Sequence, residues 1–377
     1  MYNWAKTLNL IELIIFTTFC VFFVVQMVYY LRVYLPVLFY KDTQPNEKPL
    51  PLSVIICARN EAENLQKNLK YVLEQNHPDY EVIVVNDSST DESDNVLGGY
   101  LREYKHLKTT SLPAGHKFTH GKKLALTVGI KAAKNEYLVF TDADCRPVSE
   151  NWLTEIQTGF INHDIVLAYG GYKRRKSFLN NYIRFDTLFI ALQYLGFAIA
   201  RSPYMGVGRN LAYKKELFFK NKGFANHYGL LSGDDDLFIN EVANKSNTTV
   251  VIGAGSFTRS EPKTSLKAFF EQKLRHLSTA SKYRKKHVFL LGLEPLSRLW
   301  FYTLFAVLLT MQNFLYPLLV MFMLRFFTQL YVFAKAGKKF KEKNIWISFI
   351  IFDIVSLFFN FIAYTTLSIR GRKIRWK

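Results

Sequence analysis

The chain has 377 residues, 49 of them Lys or Arg against 30 Asp or Glu, for a formal charge of +19. Its 49% hydrophobic content, with 33 phenylalanines, is ample for a core. The apolar residues are clustered, which excludes a uniformly apolar globule and indicates a membrane protein. Much of the basic excess lies at the edges of the apolar segments, so nucleic acid is excluded as the partner such a charge would otherwise suggest.

The first predicted element is the uncharged run LIIFTTFCVFFVVQMVYYL at residues 13–31, where Gln26 is the one strongly polar side chain. About 20 such residues in a helix cross a hydrocarbon core of about 30 Å. The run is too long for a signal peptide and lacks a small-residue cleavage site, so residues 1–40 read as a retained transmembrane anchor.

Residues 50–287 have the pattern of a soluble α/β domain. The β-branched run PLSVIICARN is followed by a polar helical stretch and a second apolar run, YEVIVVNDSS. A helix and the strand YLVFTDADC then repeat the theme, which predicts parallel strands joined by right-handed crossovers. Ligands bind at the carboxyl ends of such strands. Three predicted ends carry polar groups: Arg59-Asn60-Glu61, Asp87-Ser88-Ser89 and Asp142-Ala143-Asp144. Singly, each reads as a turn former or helix cap. Together they predict a nucleotide site.

Residues i and i+2 of an extended chain project from one face, so Asp142 and Asp144 are expected to approach one cation. Mg2+ or Mn2+ suits oxygen ligands and substrate phosphates. Such an ion explains carboxylates in a basic protein, because it bridges them to an anionic diphosphate and stabilises charge as that group departs.

Residues 178–200 contain the apolar stretch TLFIALQYLGFAIA, 14 residues long, after Arg184 and Asp186. It is short for a span. We read it as an amphipathic helix lying near the membrane, beside a lipid-borne acceptor. MGVGRNLAY at 205–213 has two glycines that permit close backbone approach to a ligand. In GDDDLF, at 233–238, adjacent aspartates repel one another, so one can hold a raised pKa and serve as a base. Residues 263–286 carry eight Lys or Arg against one Glu. Most are expected beside anionic headgroups, with Arg275 the exception.

The apolar block 299–333 is long enough for two crossings with a turn near Gln312 and Asn313, and 345–367 fits one. Asp353 and Asn360 lie inside the latter, so Asp353 should face protein or the interface. The basic stretches KAGKKFKEK and RGRKIRWK both call for the cytoplasmic side. They cannot both have it if 345–367 crosses once. Either that segment does not span, or 299–333 crosses once, or the tail breaks the bias. Residues 288–377 are taken together as a C-terminal membrane and interfacial region. Cys20, Cys57 and Cys145 are an odd, dispersed set, which predicts reduced thiols and no disulfide framework.

Taken together, these residues resemble the membrane-anchored family 2 glycosyltransferases, whose catalytic domain has the GT-A fold, an α/β, Rossmann-like, mostly parallel sheet. SVIICARNEAENL resembles the family's first strand and nucleotide-binding loop, implying contacts from Ala58, Arg59 and Glu61. Asp87 matches the acidic residue after the second strand. Gly121 and Lys122 match a Gly-Lys-x-x-Ala-Leu segment, and Asp142 and Asp144 the metal and diphosphate motif. SGDDDLF resembles Glu-Asp-x-Asp-Leu, which makes Asp234 the base, Asp235 the alternate, and puts Gly233 where Glu is usual. QKLRH resembles Gln-x-x-Arg-Trp: Gln272 and Arg275 match, but His276 replaces Trp. The implied acceptor region comprises Gly208, Arg209, Asn210, Asp236 and His276.

The resemblance implies an inverting transferase at the cytosolic face of the cell membrane, dependent on Mg2+ or Mn2+. Its donor would be a nucleotide sugar, a UDP-sugar before others, and its acceptor lipid-linked or a glycan. In such a reaction Asp234 takes the acceptor proton while Arg275 helps receive the diphosphate. The rivals are a processive polysaccharide synthase and a basic membrane scaffold with a vestigial transferase domain. The missing Trp weighs against the first and the complete carboxylate set against the second.

Overall fold

The β-branched runs do become strands and the intervening polar stretches helices. The computed structural model describes residues 10–42, 48–112, 122–230 and 232–370. Helix α1 (Leu10–Val28) continues through a π-helical turn, Tyr29–Tyr34, into α2 (Leu35–Phe39). The next elements are β1 (Leu52–Ala58), α3 (Ala62–Leu73), β2 (Tyr80–Asp87), α4 (Ser93–Glu103), β3 (Leu107–Leu112), α5 (Lys122–Ala132) and β4 (Tyr137–Phe140). Then come β5 (Cys145–Pro147), α6 (Trp152–Gln157), β6 (Ile165–Ala168), β7 (Gly170–Tyr172), α7 (Phe178–Ile199), β8 (Leu211–Lys214) and α8 (Lys215–Lys220). The domain closes with α9 (Asp236–Val242), β9 (Thr248–Val251), β10 (Thr258–Ser260) and α10 (Leu266–Ala280). Three long helices follow: α11 (Lys285–Met311), α12 (Leu315–Lys339) and α13 (Ile345–Arg370).

Seven strands make one mixed sheet in the order β3-β2-β1-β4-β8-β6-β9, and β5, β10 and β7 make a small second one. Strands β3, β2, β1 and β4 are mutually parallel. Strand β8 runs antiparallel to β4 and β6. Alternate residues of β1 feed opposite cores: Val54 and Ile56 pack toward α3 and α6, and Ile55 toward α5 and α7. This register brings the carboxyl ends of β2, β1 and β4 to one edge, as the sequence predicts.

Helix α7 departs from the amphipathic surface helix expected. Of its most apolar window 83% is buried, against 11–28% in the other four helices long and apolar enough to cross a membrane. Its charges are consumed internally, which is why the sequence misleads. Arg184 donates to Glu342 at 2.8 Å, and Asp186 accepts from Lys273 Nζ at 2.7 and 2.8 Å. A Cβ on Gly196 would meet the Val33 carbonyl at 2.2 Å, so glycine lets α7 touch the π-helical turn.

Helices α11 and α12 form a hairpin whose turn sits at Gln312, with φ +60°, where two crossings would need it. At that tip Asn313 donates to Glu12 of α1. At the other end the bundle is docked on the central domain. Asp42 accepts from the Ile252 amide at 2.9 Å. Glu342 accepts from Tyr169 Oη at 2.8 Å and pairs with Arg184 and Arg259. The basic stretch at 335–343 is therefore mostly helix, with a buried carboxylate, Glu342, near its end. Helix α13 starts there and runs back along α7 and α10.

Asp353 faces protein, as expected. It accepts from Arg298 at 2.7 Å and Tyr302 Oη at 2.6 Å, with Arg325 at 3.4 Å. Arg325 also donates to Gln26 at 3.0 Å, so the polar cluster joins α1, α11, α12 and α13. Removing one partner of a buried ion pair costs about 3–5 kcal/mol because the remaining charge is uncompensated. Asp353→Ala is accordingly expected to lower the melting temperature in detergent by several degrees. An unchanged melting temperature would contradict the network's structural role.

Candidate active site

The chain leaves the sheet abruptly after β1. Asn60 adopts φ +55°, a left-handed conformation that asparagine tolerates better than most residues. Its Oδ1 accepts from the Thr90 amide at 2.8 Å, and its own amide donates to Ser89 Oγ at 2.9 Å. The loops after β1 and β2 are thereby tied together, with Arg59 4.0 Å from Asp87. After β4, Asp142 and Asp144 flank the small Ala143 on the same sheet edge.

These tips border a cavity of about 940 Å³. It gathers Ala58, Arg59, Glu61, Asp87, Lys122, Asp142 and Asp144 from the sheet side. From the other walls come Gly208, Arg209, Asp234, Asp235, Gln272, Arg275 and His276. Gly121 lies outside the described residues.

Two residues assigned to the acceptor region do not border this cavity. Asn210 is fully buried: its Nδ2 donates to the Tyr169 and Ser256 carbonyls, both at 2.8 Å, and its Oδ1 accepts from Trp152 at 3.1 Å. It braces the root of β8, a role its polar Gly-Arg-Asn setting conceals. Asp236 accepts from Thr279 and, at 2.7 Å, from Tyr283 Oη, and it borders a second cavity instead.

The electrostatics follow from burial and from which charges share the space. Lys122 bonds Asp142 and lies 3.7 Å from Asp234. Burial opposes its charge, but these two carboxylates outweigh that and hold it protonated, well above the ordinary lysine range. Burial likewise opposes ionisation of Asp142, yet Lys122, Arg209 and Arg275 hold its carboxyl below the usual range. Asp144 goes the other way, raised by burial and by Asp142. Asp235 is pushed up to about 7, first by burial and then by Asp234 and Asp236, while the Gly208 amide opposes the shift. Its Oδ2 accepts from that amide at 2.6 Å. His276, which is exposed to the cavities, is pushed below the usual histidine range by desolvation within the site and by Arg275 and Arg209.

One oxygen each from Asp142 and Asp144 and the Cys145 sulfur lie within 4.8 Å of one another. Burial and the two carboxylates raise the Cys145 thiol well above its ordinary value, so it stays protonated and is no ligand for a hard cation. The carboxylate pair is what fits a divalent ion: two half-buried like charges whose mutual repulsion a cation relieves.

Several cavity residues were not singled out from sequence. Lys263 and Lys267 belong to the basic run assigned to headgroups, yet they border the cavity. Tyr172 also borders it: Arg209 stacks on its ring at 4.5 Å, and Gln272 donates to its hydroxyl at 3.0 Å. Thr366 and Leu367 of α13 reach the cavity from a segment that reads as a membrane span. Lys123 donates to the carbonyls of His227, Leu230 and Ser232 at 2.6–2.8 Å, steadying the loop that leads to Asp234.

Comparison with known proteins agrees with this geometry. The family described as "Glycosyl transferase family 2" matches residues 53–221. A stretch of 93 residues is 32% identical to the poly-beta-1,6-N-acetyl-D-glucosamine synthase of Staphylococcus epidermidis, covering 25% of this chain and 21% of that protein. Glycosyltransferase AglE of Haloferax volcanii is 35% identical over 104 residues, 27% of this chain and 33% of its own. The chain thus spans only 21% and 33% of the length of these curated relatives. Among solved structures, the mannosyltransferase PcManGT from Pyrobaculum calidifontis, in complex with GDP-Man and Mn2+, superposes with a TM-score of 0.59 at 19% identity. That match covers 89% of this chain and 100% of the other, and it establishes the GT-A fold.

Proposed function

Because the chain carries a family 2 glycosyl transferase domain at residues 53–221, we propose that it transfers a sugar from a nucleotide-diphosphate sugar to an acceptor hydroxyl, with inversion. The observation that carries this reading is the meeting, in one cavity, of the β1, β2 and β4 tips with Asp234, Asp235 and basic side chains of α10.

In this scheme Ala58, Arg59, Glu61 and Asp87 hold the nucleoside, and Lys122, Gln272 and Arg275 the diphosphate. Asp142 and Asp144 would hold a divalent ion, Mg2+ or Mn2+. When bound, that ion supplies positive charge to the diphosphate as it leaves. The acceptor oxygen attacks the anomeric carbon as the bond to the diphosphate oxygen breaks, and that oxygen keeps the electron pair. The base must lie within hydrogen-bond reach of the acceptor hydroxyl, where that hydroxyl meets the donor. Among the three adjacent aspartates, Asp235 borders both the donor cavity and the second cavity. We therefore move the base from Asp234, the residue matched by motif alignment, to Asp235, leaving Asp234 as the charge partner of Lys122. Incubating purified protein with UDP-, GDP- and dTDP-sugars, with Mg2+ or Mn2+, should release nucleotide for one donor. Release from none would refute the proposal.

The same reading extends to the membrane. Helix α1 and the α11–α12 hairpin share a distal tip at Glu12 and Asn313 and a proximal end at Asp42 and Glu342. Helix α13 starts at the proximal end, and its last turns border the donor cavity. Three crossings by α1, α11 and α12, with α13 lying in the interface, put both basic stretches on the catalytic side, which the positive-inside bias makes cytosolic. Asn313→Cys is expected to react with an impermeant thiol reagent from outside, while reporters after Ala200 or at the C-terminus stay cytosolic. An external signal from either reporter would overturn this topology.

A further inference from the structure

A second cavity, of about 730 Å³, lies between α7, α10, α11 and α13, within the size range of small-molecule sites. It joins the donor cavity through a shared rim that includes Arg209, Asp235, Gln272 and His276. Away from that rim its walls are largely apolar, with Phe189, Leu291 and Leu357 among them. It also has a side toward the outer surface of the helices. Leu296 and Leu299 of α11 and Phe358 and Phe361 of α13 border it while remaining 49%, 43%, 61% and 69% exposed. A gap edged by such residues, between helices assigned to the bilayer and its interface, opens to hydrocarbon.

We propose that this cavity seats the hydrocarbon chain of a lipid-linked acceptor, which enters between α11 and α13 and presents its hydroxyl to Asp235. The proposal rests on the sugar-transfer reading above and names the acceptor class for it. Two buried oxygens support an amphiphile with a polar end. Gln272 Oε1 at the rim and Asn360 Oδ1 on α13 have no hydrogen-bond partner, and a hydroxylated head group supplies donors. Buried polar atoms are rarely left unsatisfied. A growing polysaccharide fits poorly, because each sugar unit would need several polar partners, more than these largely apolar walls offer.

A minimal probe is a long-chain alcohol carrying a diazirine at mid-chain, photolysed with the full-length protein in nanodiscs. Labelling is expected on peptides containing Phe189 and Leu357. A Cβ at Gly292 meets nothing within 4 Å, so Gly292→Trp projects into open space, and glycine is the weaker helix former. This variant is expected to cut internal labelling at least tenfold while nucleotide-sugar binding stays unchanged. Leu357→Trp fills the cavity from another wall, should the first variant fail to fold. Equal labelling of wild type and both variants, or labelling confined to outward-facing Phe327 and Ile351, would overturn the proposal. So would a soluble oligosaccharide that serves as acceptor equally well in wild type and both variants. Labelling does not depend on donor chemistry, so absent nucleotide release with intact internal labelling would refute the transferase reading alone.

Discussion

Asp235→Asn is expected to lower sugar transfer by about 10²–10⁴-fold, the range for loss of a general base, while nucleotide-sugar binding persists. The amide keeps the size of the side chain and can still accept from the Gly208 amide at the Oδ2 position, giving up only the bond that Oδ1 accepts from the adjacent Asp236 amide. Lost turnover without lost binding separates this role from a merely structural one. Asp234→Asn should act differently, because Asp234 faces Lys122 at 3.7 Å and its loss weakens the grip on the donor. If Asp234→Asn alone shows the turnover defect and Asp235→Asn retains wild-type rate, the motif-aligned residue is the base.

The pH profile supplies an independent check. The Asp235 carboxyl is pushed up to about 7, so the ionised form able to take a proton dominates above that pH. Transfer should fall about tenfold per unit below pH 7. The sign for stability is opposite. A raised folded-state value favours the neutral form, so this group's contribution is complete below an unfolded value of about 3.9 and lost as pH rises through 7. Flat transfer between pH 5 and pH 8 would remove Asp235 as the rate-determining base.

The second large effect is expected at the carboxylate pair. Asp144→Asn removes one of two charges suited to a divalent ion, and Asp142→Asn removes the other along with the partner of Lys122. Loss of one preorganised electrostatic group at a departing charge costs about 10²–10³ in turnover. Both variants should therefore lose transfer by at least that factor, and nucleotide-sugar binding should cease to respond to added Mg2+ or Mn2+. Asp142→Asn should also loosen Lys122, whose remaining partner, Asp234, is farther away. Wild-type turnover in either variant would remove that residue from the mechanism.

Much of the proposed donor site was legible along the chain because local pattern determines it. β-Branched runs make parallel strands, parallel strands put their carboxyl ends on one edge, and the polar residues after each run must then converge. Ala58, Asp87, Asp142 and Asp144 follow from that logic, and the hairpin turn at Gln312 follows from the spacing of apolar residues. What the sequence could not decide depends on long-range pairing. Arg184 and Asp186 look like the polar face of a surface helix until Glu342 and Lys273, distant in sequence, neutralise them and let α7 be buried on all sides. Asn210 looks like a ligand contact until its amide is seen bridging Tyr169, Ser256 and Trp152. Helix α13 reads as a span because hydropathy counts residues and not partners. Only packing against α7 and α10 brings its end to the donor cavity. Composition and periodicity act over a few turns of chain, whereas charge compensation and cavity walls arise where segments hundreds of residues apart meet. The strand-tip pattern was thus set locally, whereas the proposed base and the proposed route of the acceptor rest on contacts that only the tertiary structure makes.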